Sequence, residues 1–272
     1  MTTLSVLDQS PISSGATAGQ AIRETIRLAQ SAERWGYKRY WVAEHHLSGG
    51  LASATREVLI GQLATATESI RIGSGGVMLS HHSPLKVAES FKLLTTLHPG
   101  RIDLGIGRAP GTDGKTTRAL AYKSPPLDLN YFPGQLMDLW GFLTDSFPDD
   151  HEFAGIKASP VGAEVPDLWL LGSSNVSTGF AAKLGWGFCH AYFINSESTA
   201  TTFDAYETLF QASPYADSPR KSMGISALGC RHQRRSRAPI LEPLRLAHHG
   251  PTWQPKRRSH ARRGDGLRLH AS

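Results

Sequence analysis

The sequence is poor in the features that define several common classes of protein. Cysteine occurs only twice in 272 residues, at Cys189 and Cys230, which excludes a disulfide scaffold and indicates a reducing compartment. No apolar run approaches the roughly 20 residues of a membrane-spanning helix. The N-terminal segment MTTLSVLDQSPISSG lacks the basic start and long apolar core of a signal peptide. We therefore expect a cytoplasmic protein that does not bind a membrane.

Positive charge is concentrated at the C-terminus. The net charge of +6 combines two parts of opposite sign. Residues 1–229 hold 18 Lys and Arg against 21 acidic residues, whereas residues 230–272 hold 11 against two. This division predicts a folded domain over residues 1–229 and a separate basic tail over residues 230–272.

The tail has four prolines and no helical or strand period in its apolar residues. Three interpretations stay open: a disordered basic arm, a nucleic-acid-binding tail, and the product of an altered reading frame that replaced the natural C-terminus. The abrupt change in composition favours the third. Nucleic-acid binding is not favoured, because Trp253 is the one aromatic residue among the arginines.

Apolar periodicity predicts alternating strands and helices in the body. The predicted strands are residues 4–7, 39–43, 69–79, 102–106, 168–171, 187–193 and 221–228. The predicted helices are residues 18–35, 54–67, 84–98, 127–147, 176–184 and 197–212. This alternation is typical of right-handed β/α units, and the length favours a (β/α)₈ TIM-type barrel over an open doubly wound sheet. One strand and two helices are missing, so we expect an incomplete barrel whose last strand and flanking helices are lost or replaced.

The tripeptide Glu44-His45-His46 follows the second predicted strand. Chemistry in such barrels lies where strands end, and a histidine beside a glutamate that orients it is a candidate general base or proton donor. The alternative is a pair of surface or structural histidines. A metal site is not favoured, because adjacent side chains on a strand point to opposite faces and the HExxH spacing is absent.

Small and cationic residues follow the next three strands. Gly75 and Gly76 remove side chains where a flat ligand could lie against the backbone, although a β-bulge would also explain them. Arg108 could hold an anion; Pro110 and the glycine spacing argue against a dinucleotide-binding turn there. The hydroxylic cluster 173–178 enters a helix and would suit a phosphate, although simple N-capping is the alternative.

Several of these segments together resemble the luciferase-like flavin monooxygenases, relatives of the bacterial luciferase α subunit. The matching pieces are RYWVAEHH, IRIGSGGVML, the HSP before a helix, HPGRIDLGIGRAPGTD and VPDLWLLGSSNVSTGFAA. The resemblance covers Leu4–Thr112 and Val165–Ala182 and fades by about Leu228. It implies a (β/α) barrel, reduced FMN as cosubstrate, O₂ and a small organic substrate.

The resemblance also implies site residues. His45 matches the family's catalytic histidine, with Glu44 and His46 as its neighbours. The matches to cofactor contacts are Gly75 and Gly76 under the flavin ring, and Arg108, Ser174 and Ser177 at the phosphate. The family's reactive cysteine is replaced here by Gly107, and His81 stands where close relatives often have asparagine.

Two other functions stay open on the same barrel. One is a deazaflavin-dependent enzyme that transfers hydride, and the other is a non-catalytic flavin-binding relative that lost turnover with its eighth strand. A flavin reductase that supplies the cofactor and a homodimer are further expectations. The sequence does not identify the organic substrate.

Overall fold

The computed structural model describes residues 2–46, 49–109, 112–122, 124–125 and 127–227. Seven parallel strands form one sheet in chain order. They are β1 (Val6–Asp8), β2 (Arg39–Val42), β3 (Arg71–Met78), β4 (Ile102–Gly107), β5 (Asp167–Gly172), β6 (Gly187–Ala191) and β7 (Lys221–Gly224). The α-helices are α1 (Ala18–Arg34), α2 (Arg56–Thr65), α3 (Pro84–Leu97), α4 (Gly114–Leu120), α5 (Phe132–Thr144), α6 (Asn175–Leu184) and α7 (Thr199–Leu209).

The predicted β/α barrel is confirmed, as a parallel sheet that is nearly closed, with helices between the strands. Among the described residues, β1 pairs only with β2 and β7 pairs only with β6. The expected eighth strand, the division at residue 229 and the predicted tail lie outside the described residues. None of the described helices combines the length and apolarity needed to cross a bilayer.

Local signals explain where the first helix begins and ends. Thr17 accepts a hydrogen bond from the Gln20 backbone N–H, and the Gln20 side chain accepts one from the Thr17 N–H, which is a capping box. Ala21, Thr25, Ala29 and Ala32 form its buried face. Gly36 follows the helix with a φ of 76°, a left-handed conformation that glycine tolerates.

Strand alternation separates two apolar layers. Tyr40, Ile72 and Leu104 belong to the larger layer, which fills the space between sheet and helices. Trp41 and Trp169 belong to the smaller layer inside the barrel, where their ring centroids lie 5.5 Å apart. These two rings therefore occupy part of the barrel interior, as side chains do in barrels of this kind.

Charged side chains close the amino-terminal end of the barrel interior. The buried Asp103 carboxylate accepts hydrogen bonds from Arg39 Nη1 at 2.6 Å and Arg71 Nε at 2.7 Å. Asp167 forms ion pairs with Arg39 Nη1 at 3.0 Å and with Arg220. We call these five residues the floor network. It ties β2, β3, β4 and β5 to the start of β7.

Apart from shifts of a few residues at element ends, the structure differs from the predicted elements in two places. Helix α4 was not predicted, because GKTTRAL has no apolar period; it begins at Asp113, whose side chain accepts the Thr116 backbone N–H at 2.7 Å. The helix predicted over residues 127–147 is a 3₁₀ turn, Leu129–Tyr131, followed by α5. Pro133 in the first turn of α5 is compatible with this start, because a backbone N–H at that position would have no acceptor within the helix.

Candidate functional site

The predicted site residues lie at one rim of the barrel. In the parallel sheet, Val42 pairs with Ser74, Met78 with Gly107, and Gly107 with Leu171. The segments that follow β2, β3, β4 and β5 therefore begin at the same carboxyl edge. This rim carries residues 44–46 after β2, Arg108 after β4, and Ser174 after β5.

The Glu44 carboxylate is the centre of a buried polar network. Its Oε1 accepts hydrogen bonds from His46 Nε2 at 2.8 Å and His82 Nε2 at 2.7 Å. Its Oε2 accepts the Met78 backbone N–H at 2.7 Å and pairs with Arg56 Nη1 at 2.8 Å. The Glu44 side chain is fully buried, and each oxygen has two donors.

This environment keeps Glu44 ionised. Burial by itself would raise the pKa of Glu44, but the His82 hydrogen bond, the Arg56 charge and the Met78 N–H outweigh it and lower the pKa to about 2. Glu44 therefore acts as a fixed hydrogen-bond acceptor rather than as a proton carrier. The prediction that it directly orients His45 needs correction, because the imidazoles hydrogen-bonded to it are those of His46 and His82.

His45 lies between two anchored side chains and is half-buried. It follows β2, whose Trp41 belongs to the apolar layer inside the barrel. Burial, with a smaller effect of His46, lowers the pKa of His45 against the opposing charge of Glu44. Its imidazole is therefore neutral at pH 7 and able to accept a proton.

The glycine pair in β3 has a packing explanation. A Cβ on Gly75 would lie 2.6 Å from Leu7 Cδ1, and one on Gly76 would lie 2.9 Å from the Gly105 carbonyl oxygen. The pairing of β3 with β4 shifts register between Gly75 and Val77, an irregularity of the kind that a β-bulge produces. The peptide bond between the two glycines is cis. Their role under a flavin ring stays a prediction.

Helix α6 presents an open amino terminus to the rim. Ser174 is its N-cap residue, with φ −144° and ψ 161°, but its side chain makes no capping hydrogen bond. Of the three residues in the N-capping alternative, Ser173, Ser174 and Asn175, the N-cap residue Ser174 provides no side-chain cap, which leaves the first turn open to an anion on that side. Ser177 is buried in that turn, and a Cβ on Gly172 would lie 2.7 Å from its Oγ. Arg108 follows the neighbouring strand.

Four residues that support the rim were not singled out from the sequence. Arg56 and His82 bind Glu44, while Asn195 Nδ2 donates to the Ser173 carbonyl at 3.3 Å beside α6. His190 Nε2 lies 2.8 Å from the Asn195 carbonyl oxygen. His82 stands inside the HSP motif, so its neighbourhood was visible in the sequence. Arg56 at the start of α2 offered no comparable signal.

The fold and rim define a (β/α) barrel protein whose polar site lies at the carboxyl ends of its strands. A sequence profile of the luciferase-like monooxygenase family matches residues 2–245. The chain belongs to the luciferase-like monooxygenase family, as its motifs predicted.

Curated relatives are longer than the segment they share with this chain. The N-acetyl-S-alkylcysteine monooxygenase of Bacillus subtilis (strain 168) is 49% identical over 199 residues, which cover 72% of this chain and 59% of that protein. A luciferase-like monooxygenase of Escherichia coli (strain K12) is 41% identical over 224 residues, which cover 82% of this chain and 65% of that protein. The chain thus spans less than two thirds of either relative.

Solved structures share the same architecture. Apo-MsnO8 is 40% identical with a TM-score of 0.74, over 81% of this chain and 65% of that one. The oxygenating constituent of 3,6-diketocamphane monooxygenase from Pseudomonas putida, solved in complex with FMN, is 18% identical with a TM-score of 0.61, over 78% and 64%. An F420-dependent secondary alcohol dehydrogenase is 16% identical with a TM-score of 0.57, over 82% and 68%. The last two likenesses show the fold alone.

Proposed function

We propose that this chain is an FMN-dependent monooxygenase that uses reduced flavin and O₂ to oxidise a small organic substrate. One observation carries the proposal. The rim combines an uncapped helix terminus and a neighbouring arginine with a neutral, half-buried histidine. Membership of the luciferase-like monooxygenase family supports the same reaction class. A flavin reductase would supply the reduced cofactor.

The residues present fit a cofactor with one terminal phosphate. The first-turn N–H groups of α6 and the positive end of its dipole would bind the phosphate, together with the Arg108 guanidinium and the hydroxyls of Ser174 and Ser177. The ring would lie toward Gly75 and Gly76. When bound, reduced FMN supplies two electrons to O₂, so that one oxygen atom enters the substrate and the other leaves as water.

His45 would move the proton. Its neutral imidazole nitrogen can accept a proton from a reacting group at the rim and return it later in the cycle. Glu44 cannot share this task, because its lowered pKa keeps it ionised and both of its oxygens already accept hydrogen bonds. His46 is anchored to Glu44 and would support the rim.

Flavin binding is the first test. Titration of the protein with FMN, following the quenching of flavin fluorescence, should saturate, and FAD should bind more weakly. Arg108→Ala should raise the Kd for FMN about tenfold or more, the equivalent of one charge-assisted hydrogen bond of ~1.5–3 kcal/mol. Arg118→Ala, which removes an exposed arginine of α4, is the matched control. Absence of saturable FMN binding, or an unchanged Kd in Arg108→Ala, would contradict the site.

Turnover is the second test. N-acetyl-S-methylcysteine is the first substrate to try, because the relative that shares 49% identity is an N-acetyl-S-alkylcysteine monooxygenase. Reduced FMN is regenerated by a separate reductase, and oxygen from labelled O₂ is traced into product by mass spectrometry. His45→Ala should lower turnover about 10²-fold with little change in FMN affinity. His98→Ala, at the C-terminus of α3, is the control. Equal product formation in His45→Ala and wild type would refute the assignment.

The same assay separates the deazaflavin alternative. An F420-dependent dehydrogenase shares the barrel, and an enzyme of that kind would transfer hydride without consuming O₂. Oxygen uptake coupled to reduced FMN supports the monooxygenase. Substrate reduction or oxidation that needs a deazaflavin and leaves O₂ unchanged supports the alternative.

A further inference from the structure

We propose that Arg56 and His82 are positioning residues for His45, and that they act on it through the side chains of Glu44 and His46. The inference rests on the proposed role of His45 in proton transfer. It adds two residues from other elements, the start of α2 and the segment between β3 and α3, to the machinery of the rim.

The backbone around His45 needs an anchor other than the sheet. Strand pairing of β2 ends at Val42, and the Ala43 N–H still donates to the Asp8 carbonyl at 2.9 Å. Residues 44–46 lie beyond the strand. Among the described residues, this segment is fixed mainly by the hydrogen bonds and the ion pair of the Glu44 carboxylate. A further hydrogen bond of 3.3 Å runs from Thr112 Oγ1 to the His46 carbonyl. Side-chain contacts thus replace the backbone hydrogen bonds of the sheet in the segment that contains His45.

The Glu44 anchor joins three parts of the molecule. The Met78 N–H comes from the end of β3, Arg56 Nη1 from α2, and His82 Nε2 from the segment after β3. The Arg56 side chain is 3% exposed, so its charge compensates a fully buried carboxylate. A carboxylate held from three directions cannot rotate without breaking several charge-assisted hydrogen bonds.

The residues on either side of His45 are held by one carboxylate oxygen. Glu44 Oε1 accepts from both His46 Nε2 and His82 Nε2, so both rings must carry their proton on Nε2. Glu44 and His46 are thereby held together, and His82 holds the same carboxylate oxygen. His45 lies between these two anchored residues, so the placement of its backbone depends on them. A loss of the His82 donor would loosen Glu44 and His46 together, and His45 with them.

The test uses a pair of substitutions at His82. His82→Leu removes the donor, whereas His82→Gln keeps one, because the glutamine amide nitrogen reaches about as far as an imidazole Nε2. Lys86→Leu, a similar apolar change at an exposed position on α3, is the control. His82→Asn is the second variant if His82→Leu does not fold, because its shorter amide ends before Glu44 Oε1.

The first readout needs neither flavin nor turnover. NMR titration of the histidine ring signals in the full-length protein measures the pKa of His45. In wild type, burial holds this pKa below its ordinary value. In His82→Leu it should rise toward the ordinary value as His45 gains access to water, and it should stay low in His82→Gln and Lys86→Leu. An unchanged His45 pKa in a folded His82→Leu protein would overturn the proposal.

The second readout is turnover of N-acetyl-S-methylcysteine. His82→Leu should lower kcat at least tenfold, since small misplacements of a catalytic group can reduce rates by up to about 10²-fold. The Kd for FMN should change less than twofold, and His82→Gln should recover most of the rate. Equal loss in the leucine and glutamine variants would overturn the proposal. If wild type neither binds FMN nor turns over, the proposed function fails, while the NMR titration still decides the positioning role.

Discussion

Asp103→Asn probes the floor network that holds the barrel beneath the site. The Asp103 side chain is fully buried and accepts hydrogen bonds from Arg39 Nη1 at 2.6 Å, Arg71 Nε at 2.7 Å and Trp41 Nε1 at 2.8 Å. Asparagine has nearly the same shape, but it is neutral and keeps one acceptor oxygen. Its amide N–H₂ must then face a donor, and Asp167 alone remains to compensate the network's arginines.

The expected loss of stability follows from these contacts. Arg39 and Arg71 donate to different Asp103 oxygens, so in either amide orientation one charge-assisted hydrogen bond of ~1.5–3 kcal/mol loses its acceptor and the other retains only a neutral oxygen. Breaking one side of a buried ion pair typically destabilises by about 3–5 kcal/mol. Arg39 and Arg71 retain 17% and 21% exposure of their side chains, so water replaces part of the lost interaction. We expect the free energy of unfolding to fall by about 3–4 kcal/mol.

Urea unfolding followed by tryptophan fluorescence and circular dichroism measures this change. Trp41 and Trp169 both contact the network, so their emission should report its loss. Asp149→Asn is the matched control, because Asp149 is exposed and surface substitutions usually change stability by less than about 0.5 kcal/mol. A loss below about 1 kcal/mol in Asp103→Asn, with an unchanged urea slope, would refute the view that the network is a principal brace of the barrel.

Three further predictions concern acid stability, glycine packing and thiol reactivity. The folded-state pKa of Glu44 is lowered to about 2, so its contribution to the free energy of unfolding is complete above its unfolded-state pKa and is lost as pH falls from about 5 to 2. The free energy of unfolding should therefore depend less steeply on pH in this range in Glu44→Gln than in wild type. Parallel pH dependences in the two proteins would contradict this. In Gly179→Ala the new Cβ meets open space inside α6, so the variant should be more stable than wild type by ~0.5–1 kcal/mol. In Gly105→Ala the new Cβ lies 2.2 Å from the Ser74 carbonyl oxygen, so the variant should be less stable. Urea unfolding measures both changes, and equal effects of the two substitutions would contradict this description of the packing. Burial raises the pKa of the Cys189 thiol to about 11. In a Cys230→Ser variant, Cys189 should therefore react with a thiol reagent at pH 8 only after the protein is unfolded. Rapid labelling of the folded protein would contradict the burial of Cys189.

The order of strands and helices could be predicted because each depends on local signals. Alternating apolar residues in Ile102–Ile106 and helical spacing in 18–35 correspond closely to β4 and α1. Helix α4 was missed because its stability signal is a side-chain cap at Asp113 rather than an apolar stripe. Element ends also shifted, as at the start of α5.

The location of the candidate site could be predicted for a related reason. In a parallel barrel the carboxyl ends of all strands meet at one rim, so motifs that follow different strands must lie near each other. This reasoning placed Glu44–His46, Arg108 and the segment around Ser174 at the same rim. It could not show that the N-cap of α6 is left open, because capping depends on a side-chain rotamer that sequence does not specify.

The sequence by itself determined the β/α architecture, the rim and the family, since periodicity, strand ends and ordered motifs are properties of neighbouring residues. Only the tertiary structure determined which carboxylate forms hydrogen bonds with which histidine or arginine. Glu44 reaches His82 across 38 residues, and Asp103 reaches Arg39 across 64. Such pairs depend on strand register and on helices that pack over the sheet, and neither is encoded within a local window. The same register places Gly76 against the backbone of β4, where a Cβ would lie 2.9 Å from the Gly105 carbonyl oxygen.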